Sequence, residues 1–228
     1  MNASGLKLMR LLQLASPALP IGAYHYSQGL ESAIEAKLII DRATLEAWLR
    51  DQLELNLGRF EAPIFLRLYD AWSNRDYPQV DSWNQQFLAA RETSELRIET
   101  LQMATSLVKL LNTLGVAEGE TAQWLSRQSQ PTMPAVFSLA ACRVGLERSD
   151  ALHVYLWSWL ENQVTAALKS FALGQSAAQA ALFTLAADIA ATVIAAGEIE
   201  DDDLTNSCPG LALLCAQHET QYSRLFRS

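Results

Sequence analysis

Residues 149–171 read S-D-A-L-H-V-Y-L-W-S-W-L-E-N-Q-V-T-A-A-L-K-S-F. Leu152, Tyr155, Leu156, Trp159, Leu160, Val164, Ala167, Leu168 and Phe171 recur at intervals of three and four, which aligns them on one broad apolar stripe of a helix. A stripe that wide belongs to a helix covered on most sides, so this segment is expected at the centre of an all-α fold. The same period appears elsewhere. Asp41 is placed to cap a helix carrying Leu45, Trp48, Leu49, Leu53 and Leu57. A longer segment from about Val80 to Leu114 carries Leu101, Val108 and Leu111, widened by Leu107, Leu110 and Leu114. Gly58, Pro63, Pro78, Gly115, Gly119, Pro131, Pro134, Gly145, Gly174, Gly197 and Pro209 are read as divisions between eight to ten helices. No stretch alternates apolar and polar residues between hairpin dipeptides, so no sheet is expected. With no linker-like tract, residues 1–228 read as one all-helical domain.

Half of the 228 residues are apolar and 18% are charged, which is enough to build a core and argues against a disordered chain. The 25 acidic residues outnumber the 17 basic ones, for a net charge of −8, and such a surface repels phosphate backbones. No nucleic-acid partner is expected. Three scattered cysteines, Cys142, Cys208 and Cys215, fit reduced thiols in a reducing compartment. Residues 1–10 lack the basic, apolar and small-residue regions of a secretory leader, so a cytoplasmic location is expected. The most apolar stretch, 177–197, is long enough to raise the question of a membrane span. Its central Asp188 and its abundance of alanine favour a core helix instead.

No catalytic pattern emerges. His25, His153 and His218 are isolated from one another, and there is no nucleophile elbow, paired-histidine zinc helix or phosphate-cradling loop. Cys208, Cys215 and His218 are the nearest approach to a metal set. Pro209-Gly210 interrupts them and no fourth ligand is in view, so no metal site is expected. The acidic run 198–203 invites comparison with helical prenyl-diphosphate enzymes, which bind magnesium through Asp-Asp-x-x-Asp. Thr205 stands where the last carboxylate of that pattern is required. The run reads instead as a solvated loop before a helix N-terminus, and a prenyl-diphosphate type of enzyme remains the weaker alternative.

Two segments ask for more. In 16–31, S-P-A-L-P-I-G-A-Y-H-Y-S-Q-G-L-E, Pro17 and Pro20 stiffen an extended approach, and Gly22 permits a tight turn. Ser27 is placed to cap a helix bearing Leu30 and Ile34, and Tyr24, His25 and Tyr26 cluster on the loop. In 218–228, H-E-T-Q-Y-S-R-L-F-R-S, Tyr222, Leu225 and Phe226 would share one face of a short helix, beside Arg224 and Arg227. Such a helix is marginal alone and must dock.

Together these segments resemble the urease accessory protein UreF family. Residues 16–31 are similar to its N-terminal signature and 219–228 to its C-terminal one. Arg91-Glu92-Thr93-Ser94-Glu95-Leu96-Arg97 and Leu173-Gly174-Gln175 match weaker patterns between them. Ala23 departs from a common second glycine. The segment 130–134 departs from a His-Tyr-Pro-like sequence, so no role tied to that histidine or tyrosine carries over. The resemblance implies an all-helical, non-enzymatic protein without cofactor, typically a homodimer. It implies binding to a second accessory protein (UreD, also called UreH), recruitment and regulation of the GTPase UreG, and nickel delivery to apo-urease. On it, Tyr24, Tyr26, Ser27, Gln28, Glu31, Tyr222, Arg224, Leu225, Phe226 and Arg227 are expected partner contacts. Pro17, Pro20, Gly22, Gly29, Arg91, Glu92, Arg97, Gly174 and Gln175 are expected to shape the signature segments.

Overall fold

The computed structural model describes residues 3–228; Met1 and Asn2, part of the 1–10 segment read above, lie outside them. Among the described residues there are eleven α-helices and no strand. They are α1 (Ala3–Ala15), α2 (Leu30–Glu35), α3 (Arg42–Asp51), α4 (Ala62–Asn74), α5 (Tyr77–Ala89), α6 (Ser94–Thr113), α7 (Gly119–Arg127), α8 (Met133–Arg143), α9 (Arg148–Ser170), α10 (Gln175–Glu198) and α11 (Pro209–His218). A π-helical stretch, Gln52–Glu61, joins α3 to α4, so the chain winds into ten continuous helical rods, within the expected number.

The 149–171 stripe lies where its width predicts. Leu152, Leu156, Leu160 and Ala167 are fully buried on α9, and Tyr155 and Val164 nearly so. α9 packs against α10, α1 and α4, and α4 against α8 and α5, which makes α4 and α9 the middle of the bundle. Between them Tyr155 stacks on Phe65 at 4.8 Å and meets the edge of Phe137 at 5.2 Å. α7 docks through Trp124, set edge-on to Trp72 at 4.9 Å.

Asp41 caps α3 as expected: its carboxylate accepts from the Thr44 amide at 2.9 Å, and the Thr44 hydroxyl closes the capping box. Gly58 and Pro63 do not divide the chain there. The rod runs from Arg42 to Asn74, because the wider π winding moves the preceding carbonyls off the path of the Pro63 ring, which a regular helix would clash with. Gly58 is what this winding requires. A Cβ there would lie 2.6 Å from the Leu53 carbonyl oxygen and 3.3 Å from the Thr192 methyl on α10.

The 80–114 segment is also not continuous. α5 ends at Ala89, and Thr93 starts α6 afresh by accepting from the Leu96 amide at 3.3 Å.

α10 is long and apolar enough to cross a membrane by length and composition, with 39% of its most apolar window buried. Its inner face packs Ala178, Leu185, Ile189 and Val193, and Asp188 pairs with Arg50 of α3 at 3.1 Å. Its outer face exposes Phe183 and Ile194, and Asp188 is the one charged residue between Gln175 and Gly197.

The tail corrects the sequence reading most. Residues 219–228 form turns and irregular backbone, not a helix, and Tyr222, Leu225 and Phe226 do not share a face. Phe226 is buried while Tyr222 and Leu225 stand in solvent.

Candidate functional site: the junction of the two end segments

The two signature segments, some two hundred residues apart in sequence, meet on the surface made by α2, α6, α9 and α11. On the N-terminal side, Pro17 and Pro20 lie in consecutive tight turns and not in extended chain. Gly22 takes φ 78°, the left-handed conformation expected of it, and leads into a 3-10 turn at Ala23–His25. That turn is right-handed, so the Ala23 methyl fits without strain. Gly29 also has positive φ (80°), and it is Gly29, not Ser27, that caps α2. A Cβ on Gly29 would lie 3.0 Å from the Cys215 sulfur and 3.1 Å from Leu211, so α11 approaches α2 this closely only over a glycine. The Ser27 hydroxyl still accepts from the Glu31 amide at 3.4 Å.

The tail is stitched to this surface mainly through backbone groups. The carbonyl oxygen of Ser228 accepts from the amides of Ser27 at 2.8 Å and Gln28 at 3.2 Å and from the Ser27 hydroxyl at 2.5 Å. The Arg227 amide donates to the His25 carbonyl at 2.8 Å. Glu31 receives the two tail amides that a helix would have satisfied internally, Leu225 at 2.8 Å and Phe226 at 3.0 Å. This explains the absence of the helix: a buried, ionisable acceptor outcompetes the few intrahelical bonds so short a segment can form. The Phe226 ring sits beneath the Lys169 ammonium, 5.9 Å from the ring centre; the same ammonium lies 5.6 Å from the centre of the Tyr24 ring.

Helix α6 supplies the third side. Glu219 accepts from the amide and hydroxyl of Ser94, at 2.8 and 2.6 Å, and so caps α6; the Ser94 hydroxyl bond holds its carboxyl below the usual range. Arg224 donates to Glu95 at 2.5 Å. One turn further along α6, Glu99 accepts from Gln28 Nε2 at 2.6 Å and from the Ser228 hydroxyl at 2.7 Å, bridging both end segments. Trp159 and Asn162 of α9 complete the clasp by donating to the Gln28 side chain (2.7 Å) and the Tyr26 carbonyl (3.0 Å), and Tyr26 donates to Gln102 at 2.5 Å. Burial pushes the Glu99 carboxyl up to about 7, against the lowering effect of its two hydrogen bonds.

Beneath the junction lies a cavity of about 70 Å³ lined partly by Glu61, Arg91, Glu99, Tyr155, Trp159 and Asn162. Arg91 pairs with Glu61 at 3.3 Å, Tyr155 donates to the other Glu61 oxygen at 2.5 Å, and the Arg91 guanidinium rests 4.1 Å over the Phe87 ring. The remaining Arg91 nitrogens have no hydrogen-bond acceptor, and the aromatic face is what they meet. Arg97 donates to the Arg91 carbonyl at 3.1 Å, while Glu92 is exposed. Gly174 caps α10 and Gln175 opens it, away from the junction.

Among the described residues no three His, Cys, Asp or Glu side chains gather in a way that could hold a metal ion. Both ring nitrogens of His218 face carboxylates, and burial pushes the Cys215 thiol up to about 12. The acidic run 201–203 is a 3-10 turn on the surface, where Asp201 pairs with Arg67 at 2.6 Å, not in a cleft. Gln163 is buried on α9 and Lys169 is exposed; neither lines the cavity beneath the junction.

The ten expected contact residues thus divide. Tyr26, Ser27, Glu31 and Phe226 are buried and Gln28 is half-buried, with their polar groups engaged inside the chain. Tyr24, Tyr222, Arg224, Leu225 and Arg227 are exposed around the junction. Sequence reasoning missed Glu61 and Glu99, and gave Glu95 no role beyond its place in the 91–97 pattern. A hint was available for two: Glu95 and Glu99 stand one turn apart beside the buried stripe Thr100, Ala104, Leu107 and Leu111.

The fold and this junction define an all-helical protein whose ends are locked together and which presents aromatic, aliphatic and basic side chains around the lock. The model of the family described as UreF matches residues 39–186, between the two end segments and reaching neither. Relatives cover the ends as well. The urease accessory protein UreF of Azoarcus sp. (strain BH72) is 49% identical over 226 residues, 98% of this chain and 96% of its own. That of Janthinobacterium sp. (strain Marseille) is 45% identical over 97% of this chain and 98% of its own, and that of Nitrosospira multiformis 46% identical over 97% of each. The chain belongs to the UreF family of urease accessory proteins.

Proposed function

We propose that this chain, acting as one domain over residues 1–228, is a cytoplasmic, non-enzymatic assembly factor for nickel incorporation into urease. In this reading it works as a homodimer that binds UreD/UreH and recruits and regulates the GTPase UreG on apo-urease. The near-full-length similarity to proteins named urease accessory protein UreF supports the role. The observation that carries the contact site is the exposed set Tyr24, Tyr222 and Leu225 at the junction, where Arg224, Arg227 and Lys169 are exposed as well on a chain of net charge −8. Exposed aromatic and aliphatic side chains near guanidinium groups suit a partner with an acidic rim around an apolar slot. The buried half of the two signatures holds that set in place. For self-association, the outward face of α10 offers an approach with little charge: Phe183, Ile194 and the alanines between them are exposed, and the helix's one central carboxylate is paired with Arg50.

The test is co-purification with UreD and UreG homologues, with nickel analysis of the urease they mature. Retained complexes and nickel loading with the native chain, both lost in a folded Tyr222→Ala, Leu225→Ala variant, support the reading. Nickel loading that is indifferent to the chain overturns it.

A further inference from the structure

His218, on the last turn of α11, is fully buried, with Nδ1 2.7 Å from Glu95 Oε2 and Nε2 3.2 Å from Glu31 Oε2. A neutral imidazole has one N–H and one lone pair, and an ionised carboxylate can only accept. A ring facing a carboxylate on each side therefore needs both N–H groups. The three side chains together hold one proton more than a neutral ring and two carboxylates would. With that proton, the set formed with Arg224 sums to zero charge; without it, a net negative charge is left in a buried place. The other groups around the ring do not replace it. Cys215, one turn back on α11, is a neutral thiol, and Glu219 is turned toward the α6 N-terminus. Glu99 lies one turn along α6, with Arg91 and Glu61 beyond it. Glu31 is also the group that receives the Leu225 and Phe226 amides, so the tail's attachment depends directly on this cluster.

We propose that the proton shared by Glu31, His218 and Glu95 is the catch that keeps residues 224–228 docked. Loss of this proton to solvent as the pH rises releases them and uncovers the Ser27 and Gln28 amides and the surface beneath Phe226. Glu99 acts in the same direction, since freeing Ser228 exposes a carboxyl whose burial favours its protonated form.

The experiment is hydrogen exchange of the full chain at about pH 6 and about pH 9, corrected for intrinsic exchange. The tail peptide should lose at least about tenfold of its protection at the higher pH, while peptides of α9 stay protected. Glu95→Gln removes one negative charge and lets the amide donate to the ring, so the tail should stay docked at both pH values. His218→Gln should flatten the dependence as well. Equal native protection at the two pH values overturns the proposal, and so does a native-sized loss in Glu95→Gln.

Discussion

Replacing Glu99 by glutamine tests whether the junction is held by a carboxyl that prefers to be protonated. Glu99 is 4% exposed and bridges Gln28 and Ser228, and burial pushes its carboxyl up to about 7 from an ordinary 4.5. With a raised folded value, the unfolded chain gives up this proton first as pH rises. Between about 4.5 and 7 the folded state therefore holds more protons, and stability falls with increasing pH. At roughly 1.4 kcal/mol per pH unit, the loss reaches about 3 kcal/mol above neutrality. The side-chain amide introduced by Glu99→Gln has no charge to bury. Its carbonyl can accept one of the two bonds, and the Ser228 hydroxyl can rotate to accept from its N–H. Setting about 1 kcal/mol of weakened hydrogen bonding against the relief, the variant should be more stable than the native chain by about 2 kcal/mol at pH 8, and equal or slightly less stable at pH 5. Urea unfolding followed by circular dichroism at several pH values reads this directly. The difference between the two proteins isolates Glu99 from carboxylates such as Glu219, whose lowered value makes stability fall at the acid end. Parallel curves for the two proteins across pH 5–8 would refute the assignment.

The tail should separate into an anchor and a presented pair. Phe226→Ala is expected to lower unfolding free energy by about 3 kcal/mol. Tyr222→Ala and Leu225→Ala should stay within about 0.5 kcal/mol of the native chain yet weaken UreD binding at least about tenfold, or 1.4 kcal/mol; the reverse ranking would sink the division. Gly29→Ala places a methyl at positive φ against Cys215 and Leu211 and should cost at least about 1–2 kcal/mol. Gly174→Ala, with nothing within 4 Å of the added carbon and ordinary φ, is the control and should be near neutral in the same melts. In equilibrium dialysis the isolated chain should hold no tight stoichiometric nickel, because the His218 nitrogens are engaged and Cys215 keeps its proton. One nickel per chain, lost on changing either residue, would contradict this.

The helical bundle was legible because helical periodicity is local: the stripe on α9 needs no knowledge of what covers it, and every residue from Leu152 to Ala167 named for the core is buried or half-buried. Gly58 and Pro63 misled for the same reason. A breaker is judged against regular winding, and the accommodation here is a π stretch packed against Thr192 on a helix far away in sequence.

The end segments were legible as signatures and not as a junction. Spacing alone cannot distinguish a helical face from a strand of backbone whose amides are taken by Glu31, since Tyr222, Leu225 and Phe226 satisfy a three-to-four pattern in either case. What decides is a carboxylate on α2 that the linear reading assigned to a partner. The same holds for Glu95, read only as part of the 91–97 pattern, and for Glu99, which nothing in the linear reading singled out, until a buried histidine and a serine hydroxyl are seen facing them. A signature of this kind therefore mixes two demands. Gly29, Glu31 and Phe226 hold the ends together from within, while the side chains of Tyr24, Tyr222 and Leu225 stay exposed, Leu225 serving the junction through its backbone amide alone. Solvated aromatic and aliphatic side chains around a closed junction gain their stabilisation only when another molecule covers them, which is why the presented residues, and not the more deeply buried ones, are where partner contact is to be sought.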